Sequence, residues 1–217
     1  MPRRSDQRPE VIEDHGLPVR RLQTADQLRA LAHPRRMELL DLLIADGPLT
    51  ASQCASRLGD SAASCSYHLR QLARFGFVEE ADGGRGRNRP WRWVPLGNRF
   101  EGRGSPAERS AAEALDAVLD ARNFDRIRRY RAAQTGDPWR ESATVSDWAI
   151  RMTEEELIDL DRAVSALLAP LQRRTFAGEA PAEARLVDVL TYLMPRPEEQ
   201  ADPAGSVPGS TRRSERP

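Results

Sequence analysis

The stretch Ser61-Ala62-Ala63-Ser64-Cys65-Ser66-Tyr67-His68-Leu69-Arg70-Gln71-Leu72-Ala73-Arg74-Phe75-Gly76-Phe77-Val78-Glu79-Glu80 decides the fold. It opens on serine, a residue that caps helix N-termini, and reaches a glycine of the kind that ends helices. Cys65, Leu69 and Leu72 recur at spacings of four and three, which marks one buried helical face. At about 100° per residue, Ala63, Ser66, Tyr67, Arg70 and Arg74 then point outward. An outward aromatic among cations is a binding face more readily than a packing face.

Working outward, the N-terminal side reads as three short helices. Thr24 caps the first, which carries Leu28, Leu31 and Ala32. Pro34 starts the second, in the first turn where proline is tolerated, and this helix buries Met37, Leu39, Leu40, Leu42, Leu43 and Ile44. It stops at Asp46-Gly47-Pro48, and Thr50 caps a third over Ala51 to Leu58. On the C-terminal side, Phe77 to Glu80 and Trp91 to Val94 read as two strands joined by the Gly- and Arg-rich loop Ala81 to Pro90. By strand alternation, Trp91 and Trp93 share one face and pack beneath the loop.

Helices in that order followed by a basic hairpin predict a winged helix-turn-helix domain over residues 24–97. The fold class is mainly α with small β, that is α+β. Residues 106–132 form a long amphipathic helix whose Leu115, Val118, Leu119, Phe124 and Ile127 are candidates for a homodimer face. Residues 138–196 are expected to form a small α/β extension: a strand from Thr144 to Met152, a capping box at Thr153 to Glu156 opening a helix to about Arg174, and Arg185 to Met194. That last stretch is ambiguous between strand and helix, with strand preferred. Residues 1–23 and 197–217, rich in Pro, Gly and charge, are expected to be disordered tails.

A helix from Ser61 is of a size to enter the DNA major groove while the hairpin lies along the backbone or minor groove. Its start offers Ser61, Ala62, Ala63, Ser64 and Ser66, small residues with hydroxyls, and free N–H groups there would favour a phosphate. Between Ser61 and Asn98 six arginines (70, 74, 85, 87, 89, 92) face three acids (79, 80, 82), a local basic excess. The DNA-contacting candidates are therefore Ser61, Ala63, Ser64, Ser66, Tyr67, His68, Arg70, Gln71, Arg74, Arg85, Arg87 and Arg89. His68 sits at the edge of the apolar stripe, and both a packed histidine and a phosphate contact fit it.

Leu28-Arg29-Ala30-Leu31-Ala32-His33-Pro34-Arg35-Arg36 leading into Leu39 to Leu43, and then Ser64 to Leu72 followed by Phe75 to Glu79, resemble ArsR-type transcriptional regulators. The resemblance covers roughly residues 24–96. It implies a homodimer that binds double-stranded DNA, usually as a repressor, with Ser64, Ser66, Tyr67 and His68 near the DNA and a wing at Gly84 to Arg89. Metal-sensing members often carry Cys-x-Cys in the helix before the recognition helix; the matching positions here hold Thr50 and Ser52, with Cys54 off the pattern. No histidine follows His68, so the histidine-carboxylate site of other members has no counterpart, and no metal or other cofactor is expected.

Composition narrows the remaining classes. The 217 residues carry 33 Lys+Arg, every one of them arginine, against 33 Asp+Glu, so net charge points to no polyanionic partner. The N-terminus lacks the apolar run of a signal peptide and no stretch is long enough to span a bilayer, so the expectation is a cytoplasmic protein without membrane contact. Cys65 faces inward; a redox pair with Cys54 is the alternative to a buried thiol. Glu154 to Glu156 reads as a helix first turn favoured by its dipole. Trp139, Trp148, Ile150 and Met152 fit either a small-molecule effector pocket or a dimer-supporting extension, the latter preferred. No phosphate loop and no nucleophile-elbow pattern is present, which speaks against an enzyme. The rival to a DNA-binding regulator is a winged-helix module that binds only protein.

Overall fold

In the computed structural model, residues 7–196 are described, apart from 15, 85–87, 102–103, 134–136, 138, 140–141, 144–145 and 147. The order of elements is β1 (Glu10–Asp14), β2 (Leu17–Leu22), α1 (Ala25–Leu31), α2 (Pro34–Asp46), α3 (Ala51–Leu58), α4 (Ala62–Arg74), β3 (Val78–Glu80), β4 (Trp91–Trp93), β5 (Gly97–Phe100), α5 (Pro106–Ala132) and α6 (Glu154–Phe176). The fold is α+β: a winged helix-turn-helix followed by helices.

Local chemistry sets the helix starts. Thr24 with Gln27, Thr50 with Gln53, Ser105 with Glu108 and Thr153 with Glu156 each form a capping box, in which two side chains satisfy N–H groups at the helix entrance. Pro34 lies in the first turn of α2, with His33 as its cap. One core joins all five N-terminal helices: Leu28 and Leu31 from α1, Leu39 and Leu43 from α2, Cys54 from α3, Leu69 and Leu72 from α4, and Ala111, Ala112 and Leu115 from α5. Burying this many aliphatic side chains, each contributing roughly 1.5–3 kcal/mol, is what holds the helices to one another.

The wing sheet pairs β3 with β4 antiparallel, with Val78 opposite Trp93 and Glu80 opposite Trp91. Leu49, between α2 and α3, adds a bridge to Trp91 through two backbone bonds of 3.0 and 2.8 Å. Both tryptophans are half-buried against the core, on the shared face that alternation predicts. The loop bends back at Gly84, whose φ is +75° and where a Cβ would run into the Asn88 carbonyl.

The expectation of a disordered tail over residues 1–23 is corrected for its second half. β1 and β2 pair antiparallel, and β2 runs parallel to β5, with Val19 opposite Gly97 and Leu22 opposite Phe100. Leu17, Val19 and Leu22 are buried, so the stretch does have an apolar side, diluted in the sequence by Arg, Asp, Glu and Pro. The unexpected residue is Arg20, 2% exposed. Its guanidinium donates to the carbonyls of Gly76 (2.7 Å), Val94 (3.0 Å) and Leu96 (3.2 Å) and lies 5.1 Å from the Phe77 ring. One side chain thus ties β2 to the end of α4, the exit of the wing and the approach to β5. Burial, then the nearby Arg8, pulls its pKa down to about 10, which leaves it charged at neutral pH.

The C-terminal region also departs from expectation. Its described residues hold α6 and no strand: 148–153 and 184–196 have neither helix nor ladder, so the β part expected of the extension is absent among the described residues, while 144, 145 and 147 lie outside them. Helix α6 rests on the body through Ala169, packed with Leu17 and Val19, and through an edge contact of Phe176 with Trp93. Residues 197–217 lie outside the described residues.

Arg20→Ala strips donors from three partly buried carbonyls, and the expected loss is roughly 2–4 kcal/mol of unfolding free energy by urea denaturation. Arg21→Ala, one residue along but solvent-facing, is expected to shift the midpoint far less.

Candidate nucleic-acid interface

Helices α3 and α4 form the helix-turn-helix proper. Gly59 closes α3 in the left-handed region with φ +62°, which turns the chain sharply enough to place Asp60 and Ser61 at the head of α4. There, Ser61 Oγ accepts from the Ser64 N–H at 3.1 Å, Asp60 accepts from the Ser61 N–H at 2.7 Å, and Ser64 Oγ donates to Asp60 at 3.0 Å. Arg35 meets the same carboxylate at 3.0 Å. These hydrogen bonds, the backbone one first, hold Asp60 below the ordinary carboxylate pKa.

This arrangement narrows one expectation. At the head of α4 the Ser61 and Ser64 N–H groups and the Ser64 hydroxyl are engaged in capping, and an acid sits beside them, so fewer donors remain for a phosphate. What remains available lies further along the helix. Ala63, Tyr67, Arg70 and Arg74 are exposed on one face, with Tyr67 54% exposed; Ser66 and Gln71 flank it, half-buried. Cys65, Leu69 and Leu72 are buried on the other face, as the spacing predicts.

The arginines near this face divide into two groups. Arg35 pairs with Glu38 (2.6 Å) and Asp60, Arg57 with Asp46 (3.1 Å), Arg89 with Glu80 (2.8 Å) and Arg92 with Glu79 (2.6 Å). Arg70 makes no ion pair with any described residue, and Arg74 is held by the Gln7 side chain and the Phe75 ring without an acid. Among the described residues, the arginines without an acidic partner on this side are therefore those of α4. Arg85 and Arg87 lie outside the described residues; Arg89 is described and exposed, but tethered to Glu80.

His68 packs its ring on His33, centroids 4.6 Å apart, and meets the Tyr67 ring at 5.2 Å. Its Nδ1 is buried without a partner among the described residues, and His33 Nδ1 accepts from the Arg35 N–H at 3.1 Å. This is the packed reading of His68, with the ring acting as a backstop for Tyr67. Burial, followed by neighbouring positive groups, lowers the pKa of both histidines: Arg36 and Arg35 act on His33, and His33, Arg36 and Arg35 act on His68, against the opposing pull of Asp60.

Of the residues expected on a dimer face, Leu115 is 1% exposed and belongs to the chain's own core, which removes it from that role. Val118 and Leu119 are half-buried against the same core. Phe124 is 65% exposed and Ile127 half-buried, so the free part of α5 is its second half. The sequence offered a signal for this: α5 is far longer than a single packing partner requires. Cys54 and Cys65 are buried free thiols, with Cys54 pushed up to about 11 by burial and Cys65 also raised by burial. Protonated, enclosed thiols are poor redox sensors. Among the described residues, no cluster of His, Cys, Asp and Glu has the makings of a metal site, and no helix is long and apolar enough to cross a membrane.

Residues 31–81 match the family model described as a helix-turn-helix domain, a span running from the end of α1 through β3. No curated protein matches the chain. The match identifies the α2–α4 unit as a helix-turn-helix and supports a DNA-binding regulator.

The histidine pair carries a stability signature. A depressed folded-state pKa means the unfolded chain binds protons first as pH falls, so stability is full above the unfolded value and declines below it. The melting temperature is expected to drop between about pH 7.5 and 5.5, and His68→Gln to flatten that slope.

Proposed function

We propose that this protein is a sequence-specific DNA-binding transcriptional regulator, acting as a repressor by occupancy of its operator. The observation that carries the reading is the exposed face of α4, with Tyr67 and Arg70 projecting beside a capped helix start inside a matched helix-turn-helix. In this reading α4 enters the major groove, Tyr67 and Arg70 meet base edges or phosphates, and Ala63 and Ser66 allow close approach. Gln71 and Arg74 contact the flanking backbone, and the wing from Gly84 to Arg89 follows the adjacent strand.

The regulator works as a homodimer in which the second half of α5, with Phe124 and Ile127, faces the partner. Two copies of α4 related by a two-fold axis would lie about one DNA turn apart, so the operator is an imperfect palindrome. Among the described arginines of the domain, Arg29, Arg35, Arg57, Arg89 and Arg92 are already paired to acids within it, which fits a net-neutral chain whose affinity comes from a few contacts. An effector, where one exists, acts through the C-terminal region on dimer geometry.

Affinity sequencing of fragmented genomic DNA with the purified protein tests this. Enrichment of a palindromic motif is expected, and Tyr67→Ala with Arg70→Ala is expected to lose it with at least a ten-fold drop in affinity and an unchanged melting temperature. Arg70→Ala alone should reduce the slope of log K against log salt by about one. Uniform weak retention, equal in the variant, would instead favour the protein-interaction reading.

A further inference from the structure

Two stretches near the C-terminus, one alternating like a strand and one for which strand is preferred to helix, have no strand partner among the described residues. Residues 148–152 alternate Trp, Ile and Met with Ala and Arg, and residues 184–196 run straight, without helix, turn or bend. Neither forms a ladder with any described residue. The second is nevertheless fixed in place by its side chains: Asn123 donates to Tyr192 Oη at 2.7 Å and Arg126 meets Asp188 at 2.8 Å, both from α5. A segment held on a helix by its side chains, which from residue 185 onward forms no backbone ladder with any described residue, is a template for another strand.

The same stretches are apolar where they meet solvent. Trp148 is 79% exposed and Met194 72% exposed, with Ile150, Leu186, Val187 and Val189 also open. Helix α6, between them in sequence, adds Leu167 and Leu171. Twelve large hydrophobics from Trp148 to Met194 are exposed, on the order of 1,000 Å² at roughly half of each side chain. A standard specific interface buries about 800 Å² on each partner. The uncovered surface therefore has the extent of one protein interface.

The chain itself supplies what each stretch lacks. Both are short, unpaired and apolar, and in a two-fold dimer one pairing occurs twice at no further cost in surface. We infer that residues 148–152 of one copy pair as a β-strand with residues 184–196 of the other, and that α6 covers the shared ladder. The partner is a second copy of this chain, and the inference rests on the homodimer reading given above while assigning its main contacts to the C-terminal region. It also accounts for the alternation of residues 148–152, which has no ladder among the described residues of one copy.

Val189→Pro removes one N–H from the middle of the second stretch at an exposed site, and a Leu186→Asp, Val187→Asp double variant charges the same stretch without altering the backbone. Sedimentation of the full chain over a concentration series, with backbone amide exchange of 148–152 and 184–196, reads the result. Expected are a dimer in the wild type with slowed exchange in both stretches, and at least a ten-fold weaker dimer with fast exchange in both variants, helix content by circular dichroism being unchanged. Variants that dimerise as the wild type does would overturn the strand exchange and leave the dimer on α5 standing. A wild type that stays monomeric would overturn both. Mixing Trp148→Cys chains with Val189→Cys chains adds a direct readout: an inter-chain disulfide is expected in the mixture, and its absence in a dimer counts against the pairing.

Discussion

The contact of Arg20 with three backbone carbonyls organises the winged helix-turn-helix half of the molecule. A guanidinium offers five donors in a fixed plane, so a single buried arginine can serve several acceptors that no sheet or helix would otherwise satisfy. Those acceptors are Gly76 just after α4, Val94 just after β4 and Leu96 just before β5. The angle between α4 and the wing is thereby referred to the N-terminal sheet, and β1 and β2 become part of the helix-turn-helix domain. Taking a charge out of water is costly, and it persists because each hydrogen bond is to a charged donor and correspondingly strong.

What the sequence made legible follows from how local each determinant is. The caps at Thr24 and Thr50, the capping box at Thr153, the Pro34 start and the Gly59 stop are decided within a few residues, and α1 to α5 appear close to the predicted limits. The inward Cys65, Leu69 and Leu72 and the outward Tyr67 and Arg70 follow from helical period alone. Arg20 reads as a solvated charge because its partners are 56 to 76 residues away, and nothing nearby announces them. Without that anchor, the alternation of Leu17 and Val19 is too short to outweigh the charged residues around it. At the site, the polar start of α4 misled for the opposite reason: serines there are equally suited to a phosphate and to a cap, and Asp60 decides for the cap.

Electrostatics explain how a neutral chain presents a basic face. Exposed ion pairs contribute little to stability, on the order of 0–1 kcal/mol each, so the pairs Arg89–Glu80 and Arg92–Glu79 are poorly accounted for as fold-holding contacts. Their stronger effect is on the field around the wing, which they neutralise at its base. Charge is left on α4, where Arg70 and Arg74 lack acidic neighbours among the described residues. In the proposed reading, such a surface gains little from long-range attraction to DNA and depends on short-range fit.

One residue network links the helix-turn-helix, helix α5 and the C-terminal segment. Asp41 on α2 accepts from Arg122 at 2.9 Å and from Arg126 at 2.6 Å, both on α5, and Arg126 also reaches Asp188 at 2.8 Å. Arg126 therefore divides its guanidinium between the helix-turn-helix and the C-terminal segment. Asp41, Arg122 and Arg126 are partly buried, so their pairing is screened less than a surface bridge, while Asp188 is exposed and adds a weaker pull on Arg126. Coupling between distant sites requires an element whose position both sites bias. Helix α5, packed along α1 and gripped at Asp41, is such an element: whatever sets the C-terminal segment in place acts on α2, and α2 forms the floor on which α4 is seated.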